Sequence, residues 1–166
     1  MSVFTGRYRA QIDGDFVVFI IGMRVNRPWK VRQWLPVFLA MPKMIKELEG
    51  RPETGFLAAN QGLMYGCPAL VQFWRSFDDL DRFARDPASL HLPAWREFNK
   101  RVRGSGDVGI WHETYKVRAG DYEAIYNNMP RVGLAGIAEH LPLGSTSTAA
   151  TRIGEREEDV APVAAY

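Results

Sequence analysis

The chain has 166 residues and a formal net charge of +2, enough for one domain that needs no disulfide or metal to hold its core. Its Lys and Arg residues are spread along the chain, which argues against a nucleic-acid surface. The longest apolar run, residues 16–23, is too short to span a membrane. Cys67 is the only cysteine, so we expect no internal disulfide and a reducing, cytoplasmic location.

The first half of the chain alternates between strand and helix patterns. Residues 1–14 are predicted to form a polar N-terminal arm, and residues 16–23 a strand that is apolar on both faces. Residues 34–49 have helical spacing, with Pro36 in the first turn and Pro42 expected to kink or divide the helix. Two more strands are predicted on either side of a turn, at residues 55–65 and 69–75.

Two helices are predicted next. Ser76 and Asp79 have the spacing of an N-cap and an acid three residues on, which begins a helix that runs through Arg85. Pro93 suits the start of the second helix, because its missing N–H would be unpaired there in any case. The apolar stripe of this helix consists of Trp95, Phe98 and Val102.

A strand and a terminal segment complete the pattern. From Val108 to Val117 the period is two, with His112 on one side and Trp111 and Glu113 on the other. Residues 122–128 are predicted as a short extended piece. Residues 145–166 are rich in Ser, Thr, Ala, Glu and Pro without apolar periodicity, so we predict a flexible C-terminal tail.

The order of elements is strand, helix, two strands, two helices and a strand. This order predicts an α+β fold, ferredoxin-like βαββαβ with an antiparallel sheet, over residues 15–144. Helices would cover one face of the sheet, yet the first strand is apolar on both faces. We therefore predict a homodimer in which two sheets pack face to face, with cover by a long loop or the N-terminal arm as the alternative.

Several short segments carry a family resemblance: Thr5-Gly-Arg-Tyr8, Arg24-Val-Asn-Arg-Pro-Trp29, Met41-Pro42, Gly66–Arg75, His91-Leu-Pro-Ala-Trp95, Gly109-Ile-Trp-His-Glu-Thr-Tyr115, and Tyr122–Pro130 with Gly133-Leu134. With these segments, residues 5–142 resemble the dimeric α+β barrel proteins named after a monooxygenase-like protein of fungal fumagillin biosynthesis. The resemblance implies the barrel fold, a homodimer, and a small apolar or aromatic ligand inside the barrel. Related barrel families include cofactor-free monooxygenases acting on polyketides, and haem enzymes such as aldoxime dehydratases and chlorite dismutases. Fold alone does not choose among them, so the expected cofactor is none or haem.

Two histidines are the candidate catalytic residues. His112 lies in mid-strand, where a neutral imidazole can act as a base on a weakly acidic substrate or bind haem iron. The alternative is a core histidine with a structural hydrogen bond. His91 lies near a helix N-terminus, where the helix dipole disfavours imidazolium and leaves a neutral ring. A solvated or capping histidine is the alternative there.

Aromatic and amide side chains are the candidate ligand contacts, since aromatic walls stack on a flat apolar substrate and a hydroxyl or amide orients its carbonyl. The candidates are Trp95, Trp111, Trp74, Tyr65, Tyr126 and Asn128. Packing in the core or in the dimer interface is the alternative for each of them.

The motifs that the sequence lacks narrow the function further. It contains no phosphate-binding glycine loop, no Gly-x-Ser-x-Gly turn, and no His-Glu-x-x-His or Cys-x-x-Cys metal motif. Hydrolase, nucleotide-dependent and zinc chemistry are therefore disfavoured, and no metal ligands are assigned. Taken with the family resemblance, this implies an oxidoreductase-like, monooxygenase-like enzyme acting on a small apolar or aromatic metabolite. The alternatives are a haem enzyme of the aldoxime dehydratase type and a non-catalytic ligand-binding protein.

Overall fold

The structure, a computed structural model, describes residues 1–102, 104–144 and 148–154. Its strands are β1 (Phe4–Gln11), β2 (Phe16–Val25), β3 (Phe56–Met64), β4 (Cys67–Trp74), β5 (Val108–Val117), β6 (Ile125–Met129) and β7 (Glu139–Pro142). Its helices are α1 (Val31–Glu49), α2 (Phe77–Arg85), α3 (His91–Val102) and the short α4 (Ala149–Arg152), with 3-10 turns at Pro52–Thr54 and Gly133–Gly136. No helix in the described part of the chain is long and apolar enough to cross a membrane.

Internal contacts divide the chain into two compact units, a larger one of residues 17–116 and a smaller one that combines residues 1–16 with 117–166. The larger unit is built on a four-stranded sheet in the order β3-β4-β2-β5. Strand β4 pairs antiparallel with both β2 and β3. Because α1 connects β2 to β3 across the intervening β4, this is the split βαβ arrangement, and the predicted ferredoxin-like fold is confirmed.

The helices of the larger unit pack on one face of this sheet. Val17 lies opposite Trp74 in the register of β2 and β4, so both side chains point to the same face. There they form an apolar cluster with Leu48 of α1 and with Leu80 and Phe83 of α2. Val102 of α3 belongs to a second cluster with Met23 and Val108. We call this face the helix side of the sheet.

Helix α1 differs from its sequence prediction. It begins at Val31, so Pro36 lies beyond the first turn, and it continues through Pro42 without being divided. Proline removes one helical hydrogen bond, but most helical stability in proteins comes from tertiary packing. Residues on both sides of Pro42 pack into the clusters on the helix side, Val37 before it and Leu48 after it. This packing explains why the helix is continuous.

The smaller unit has a sheet of its own, in the order β6-β1-β7, with both pairs antiparallel. Residues 1–14, predicted as a polar arm, therefore contain a paired strand. Its partners come from residues 125–142, and local sequence patterns do not reveal such distant pairing. Of the predicted tail, residues 145–147 and 155–166 lie outside the described residues, and α4 lies in the part between them. The proposed domain boundaries stay a prediction.

The start of α2 confirms the predicted cap. The Ser76 hydroxyl accepts a hydrogen bond from the Asp79 N–H at 3.1 Å and donates one to the Asp79 carboxylate at 2.9 Å. Arg75 and Arg82 each donate to the same carboxylate at 3.0 Å. Burial by itself would raise the pKa of Asp79, but the hydrogen bonds from Arg75 and Ser76 outweigh it and hold the pKa below its usual value.

We expect Asp79→Asn to destabilise the protein by about 2 kcal/mol at neutral pH, because it removes charge-assisted hydrogen bonds at a buried site. Because the pKa of Asp79 is lower in the folded protein, its ionised carboxylate stabilises the fold fully at pH values above the unfolded-state pKa, which is about 4. This stabilisation is lost as the pH falls through the folded-state pKa. Denaturant unfolding between pH 2 and about pH 7 should show a smaller acid-dependent loss in the variant than in the wild type.

The matched control is Asp78→Asn, which removes the same charge from an exposed neighbouring position of the same helix. Equal effects of the two substitutions would contradict a special role for the Asp79 carboxylate.

Candidate functional site

A cavity of about 500 Å³ lies between the helices and the sheet of the larger unit. Its size is within the range of roughly 300–1,000 Å³ typical of small-molecule sites. Each of the three helices contributes a small residue to its wall, Ala40 from α1, Ala84 from α2 and Ala94 from α3. Because these side chains are short, the helices can pack on the sheet and still leave space beneath them. Most of the remaining wall is aliphatic, aromatic or methionine side chains.

His91 is the first residue of α3 and lines the cavity. Its Nδ1 lies 3.0 Å from the carbonyl oxygen of Ala84. Since a carbonyl oxygen can only accept, Nδ1 must carry a hydrogen, and Nε2 has no hydrogen-bond partner among the described residues. The Phe83 ring, 5.9 Å away between centroids, flanks the imidazole. The two ring nitrogens of His91 therefore have distinct roles, one structural and one available.

His112 lies in the middle of β5 on the helix side of the sheet, also at the cavity wall. Its ring centroid is 5.6 Å from that of Phe19. The side chain is exposed and has no hydrogen-bond partner among the described residues. Because β5 is one of the two edge strands of this sheet, the imidazole can contact both the cavity and solvent.

Two of the predicted ligand contacts accompany the histidines. Trp95 lines the cavity from α3 and stacks on Phe98, with ring centroids 5.4 Å apart and planes at 18°. Trp74 lines it from β4 and is completely buried. The structure thus brings His91, His112, Trp74 and Trp95 to one cavity.

The other four candidates do not line this cavity. Trp111 packs against Gly22 on the opposite face of the sheet. The ring centroids of Tyr65 and Trp111 are 5.1 Å apart. Two candidates belong to the smaller unit and make local hydrogen bonds there. The Tyr126 hydroxyl accepts from the Ala135 N–H at 3.2 Å, and the Asn128 side-chain oxygen accepts from the Gly6 N–H at 2.9 Å. Ligand contact by Trp111, Tyr65, Tyr126 and Asn128 stays a prediction.

Gln72 of β4 is a cavity residue that the sequence analysis missed. It is only 5% exposed, and its side-chain oxygen accepts a hydrogen bond from the Trp74 indole at 3.0 Å. The sequence did contain a signal for it, because Gln72 is the one amide in the apolar segment 69–74. A polar side chain buried in such a strand usually has a hydrogen-bond partner or a function that explains it. Among the described residues, no three His, Cys, Asp or Glu side chains are placed to hold a metal ion.

Comparison with known proteins identifies relatives of this chain. The model of the monooxygenase af470-like family matches residues 16–134. Monooxygenase af470 of Aspergillus fumigatus is 32% identical in an alignment 149 positions long that covers 76% of this chain and 52% of that protein. The chain thus spans about half the length of the relative that it matches.

Solved structures with a similar arrangement include two proteins of unknown function. A dimeric protein with a ferredoxin-like fold from Bacteroides fragilis is 18% identical, with a TM-score of 0.42, over 61% of this chain and 95% of its own. A dimeric ferredoxin-like protein from Jannaschia sp. CCS1 is 14% identical, with a TM-score of 0.43, over 61% of this chain and 99% of its own. Similarity at this level does not bear on activity.

We expect Ala40→Phe to fill the cavity and weaken binding of the neutral apolar dye N-phenyl-1-naphthylamine at least about tenfold. The new ring enters space that is already present, so the free energy of unfolding should change by less than about 1.5 kcal/mol. Dye fluorescence titration and denaturant unfolding measure the two quantities. The control is Ala88→Phe, at an exposed position that does not line the cavity. Wild-type dye affinity in the Ala40 variant would contradict the cavity as the binding site.

Proposed function

We propose that this chain, which belongs to the monooxygenase af470-like family, is an oxidoreductase that adds oxygen to a small apolar or aromatic metabolite held in its cavity. One observation carries the proposal. Two histidines, each with a ring nitrogen unpaired among the described residues, line the same largely apolar cavity. An apolar wall binds a flat, uncharged molecule, and the imidazoles supply the basic groups that act on it.

A cofactor-free reaction fits these groups. A substrate methylene that is activated by adjacent rings or a carbonyl loses a proton to the His112 imidazole and becomes an electron-rich anion. The anion reacts with dioxygen, one oxygen atom enters the substrate, and the other leaves as hydroxide, which becomes water with the proton that His112 gives up. The overall change, R₂CH₂ + O₂ → R₂C=O + H₂O, balances without an external reductant. The proton from His112 reaches the hydroxide through solvent, to which the edge position of His112 gives access.

Haem is the second candidate ligand. His91 Nε2 would hold the haem iron, because the bond of Nδ1 to the Ala84 carbonyl orients the ring as in many metal-bound histidines. The carboxylates of haem fit less well. Arg101, the one arginine among the described residues that line the cavity, is already paired with Glu97. The cavity therefore offers a ligand for haem iron but, among the described residues, no unpaired arginine for the haem carboxylates. Cofactor-free oxidation with His112 as the base is the better supported function.

We expect His112→Gln to slow oxygen consumption with anthrone as the probe by about 10²- to 10⁴-fold, the usual contribution of a general base. Anthrone has an acidic methylene, and its oxidation to anthraquinone can be followed with an oxygen electrode and by absorbance. Lys116→Gln is the control, since it changes an exposed residue of the same strand outside the cavity lining.

Unchanged activity in the His112 variant would overturn the assignment of the base. If the wild type binds the dye but oxidises anthrone no faster than buffer does, a non-catalytic ligand-binding protein becomes the better description. Absorption spectra of the same proteins after haem addition test the second candidate. A sharp Soret band that is lost in His91→Ala would make His91 a haem ligand.

We also propose that two copies pair through the second face of the sheet, opposite the helices. In the register of β2 and β4, Val18 and Ile20 alternate with the helix-side residues and point to this face, and so does Val71. These three side chains are only half-buried, although all are apolar. Half-exposed apolar side chains on a sheet favour an interface. The cytoplasmic location and the absence of a nucleic-acid partner stay predictions.

We expect Tyr115→Lys to convert the dimer to a monomer, because it places a charge on the second face, where Tyr115 is 50% exposed. A lysine can still bond Glu113, which accepts from the Tyr115 hydroxyl at 2.6 Å, so the fold should be retained. Val31→Lys, at an exposed position of α1, is the control. Sedimentation velocity gives the molar mass of each, and a wild-type monomer or a dimeric Tyr115 variant would contradict the proposed interface.

A further inference from the structure

The side-chain amide of Gln72 has one defined orientation. The Trp74 indole nitrogen lies 3.0 Å from the Gln72 amide oxygen. An indole N–H can only donate, so the atom that faces it must be the oxygen Oε1 and not the nitrogen Nε2. Trp74 is completely buried, with 0% of its surface exposed, and its ring is held against Phe56 and Phe83. The indole therefore fixes which end of the amide is free.

The free end is Nε2, which carries two hydrogens. The side chain of Gln72 has no hydrogen bond other than the one from Trp74 among the described residues. The enclosed side-chain nitrogen and oxygen atoms without a partner in that part of the chain are Trp111 Nε1 and His140 Nε2. The Gln72 nitrogen is not one of them, although the residue is only 5% exposed, so the nitrogen borders open space. Since Gln72 lines the cavity, that space is the cavity.

A buried amide donor without an acceptor destabilises a protein, and an acceptor that arrives with a ligand removes that cost. The surroundings of Gln72 on the sheet are apolar, with Phe19 directly opposite it in the register of β2 and β4. The His112 ring lies 5.6 Å from the Phe19 ring, on the next strand of the sheet. A flat ligand on this side of the cavity can thus reach the Gln72 donor and the His112 base together.

We infer that Gln72 Nε2 donates a hydrogen bond to a carbonyl oxygen of the substrate, and that Trp74 is the positioning residue of this donor. The inference rests on the proposed function and narrows its substrate class to apolar or aromatic ketones. A neutral amide suits an uncharged carbonyl better than a carboxylate, which would seek a free cation. When His112 removes a proton beside that carbonyl, negative charge moves to its oxygen, and a fixed donor stabilises the charge as it develops.

Fluorene and 9-fluorenone are suitable probes, because they share one tricyclic frame and differ by a carbonyl oxygen. Their affinities for the full chain are measured by displacement of N-phenyl-1-naphthylamine. Gln72→Met keeps a similar length but removes the donor. We expect it to weaken 9-fluorenone binding about tenfold and to change fluorene binding less than about twofold. Gln61→Met, the same substitution at an exposed position outside the cavity wall, should change neither affinity.

The infrared carbonyl stretch of bound 9-fluorenone is a second measurement that needs only the wild type. A hydrogen bond to the carbonyl lowers its wavenumber relative to the value in hexane, so we expect a lowered band in the wild type. In Trp74→Phe the amide loses its fixed partner, and we expect a broader band at higher wavenumber. This reading keeps the inference testable if Gln72→Met fails to fold.

The remaining outcomes separate the inference from the proposed function. A hexane-like carbonyl band in the wild type, or equal losses of both probes in Gln72→Met, would overturn the donor role and leave the apolar site in place. Failure of both probes to displace the dye from the wild type would overturn the inference together with the proposed ligand class.

Discussion

The hydrogen bond between Trp74 and Gln72 connects the apolar core of the larger unit to a polar group at the cavity wall. Trp74 has no exposed surface, and its ring meets Phe56 of β3 and Phe83 of α2 in the same apolar cluster. Two residues earlier on the same strand face, Gln72 reaches the cavity. Any change that moves the indole would therefore alter both the core and the orientation of the amide. The constraint is geometric, because a side chain that can only donate selects the oxygen end of its neighbour.

The elements of the larger unit could be predicted from sequence because their patterns are strong and local. The alternation from Val108 to Val117 gave the strand and the side of His112, and the Ser76 cap gave the start of α2. Strand β1 could not be found in this way. Its residues are mostly exposed, so they show no apolar alternation that would mark a strand. The strand is defined by its pairing with residues more than a hundred positions away, which a local pattern does not reveal. Likewise, the continuity of α1 through Pro42 depends on packing against the sheet.

The candidate site was predictable in part for a related reason. Histidines are rare enough in this chain, three in all, to be singled out, and two of them line the cavity. Aromatic residues are too numerous for that, since a tryptophan serves a core or an interface as well as a pocket. Tertiary structure separates Trp74 and Trp95 from Trp111, which packs on the other face against Gly22. The alanines that line the cavity could not be identified from sequence. They matter because their side chains are too short to fill the space, and no sequence pattern indicates this.

The two cavity histidines differ in a way that bears on their chemistry. The Ala84 carbonyl holds the proton of His91 on Nδ1, so releasing that proton would break a bond that positions the ring. His112 has no such bond within the described chain and lies on an edge strand, so no neighbouring carbonyl restrains its ring. A catalytic base must take up and release a proton in every cycle, so its nitrogens must not be held by other bonds. A metal ligand, or an acceptor for a substrate hydroxyl, needs a lone pair that is held in one direction. The described contacts therefore distinguish the two rings, because a backbone carbonyl holds His91 and no such bond holds His112.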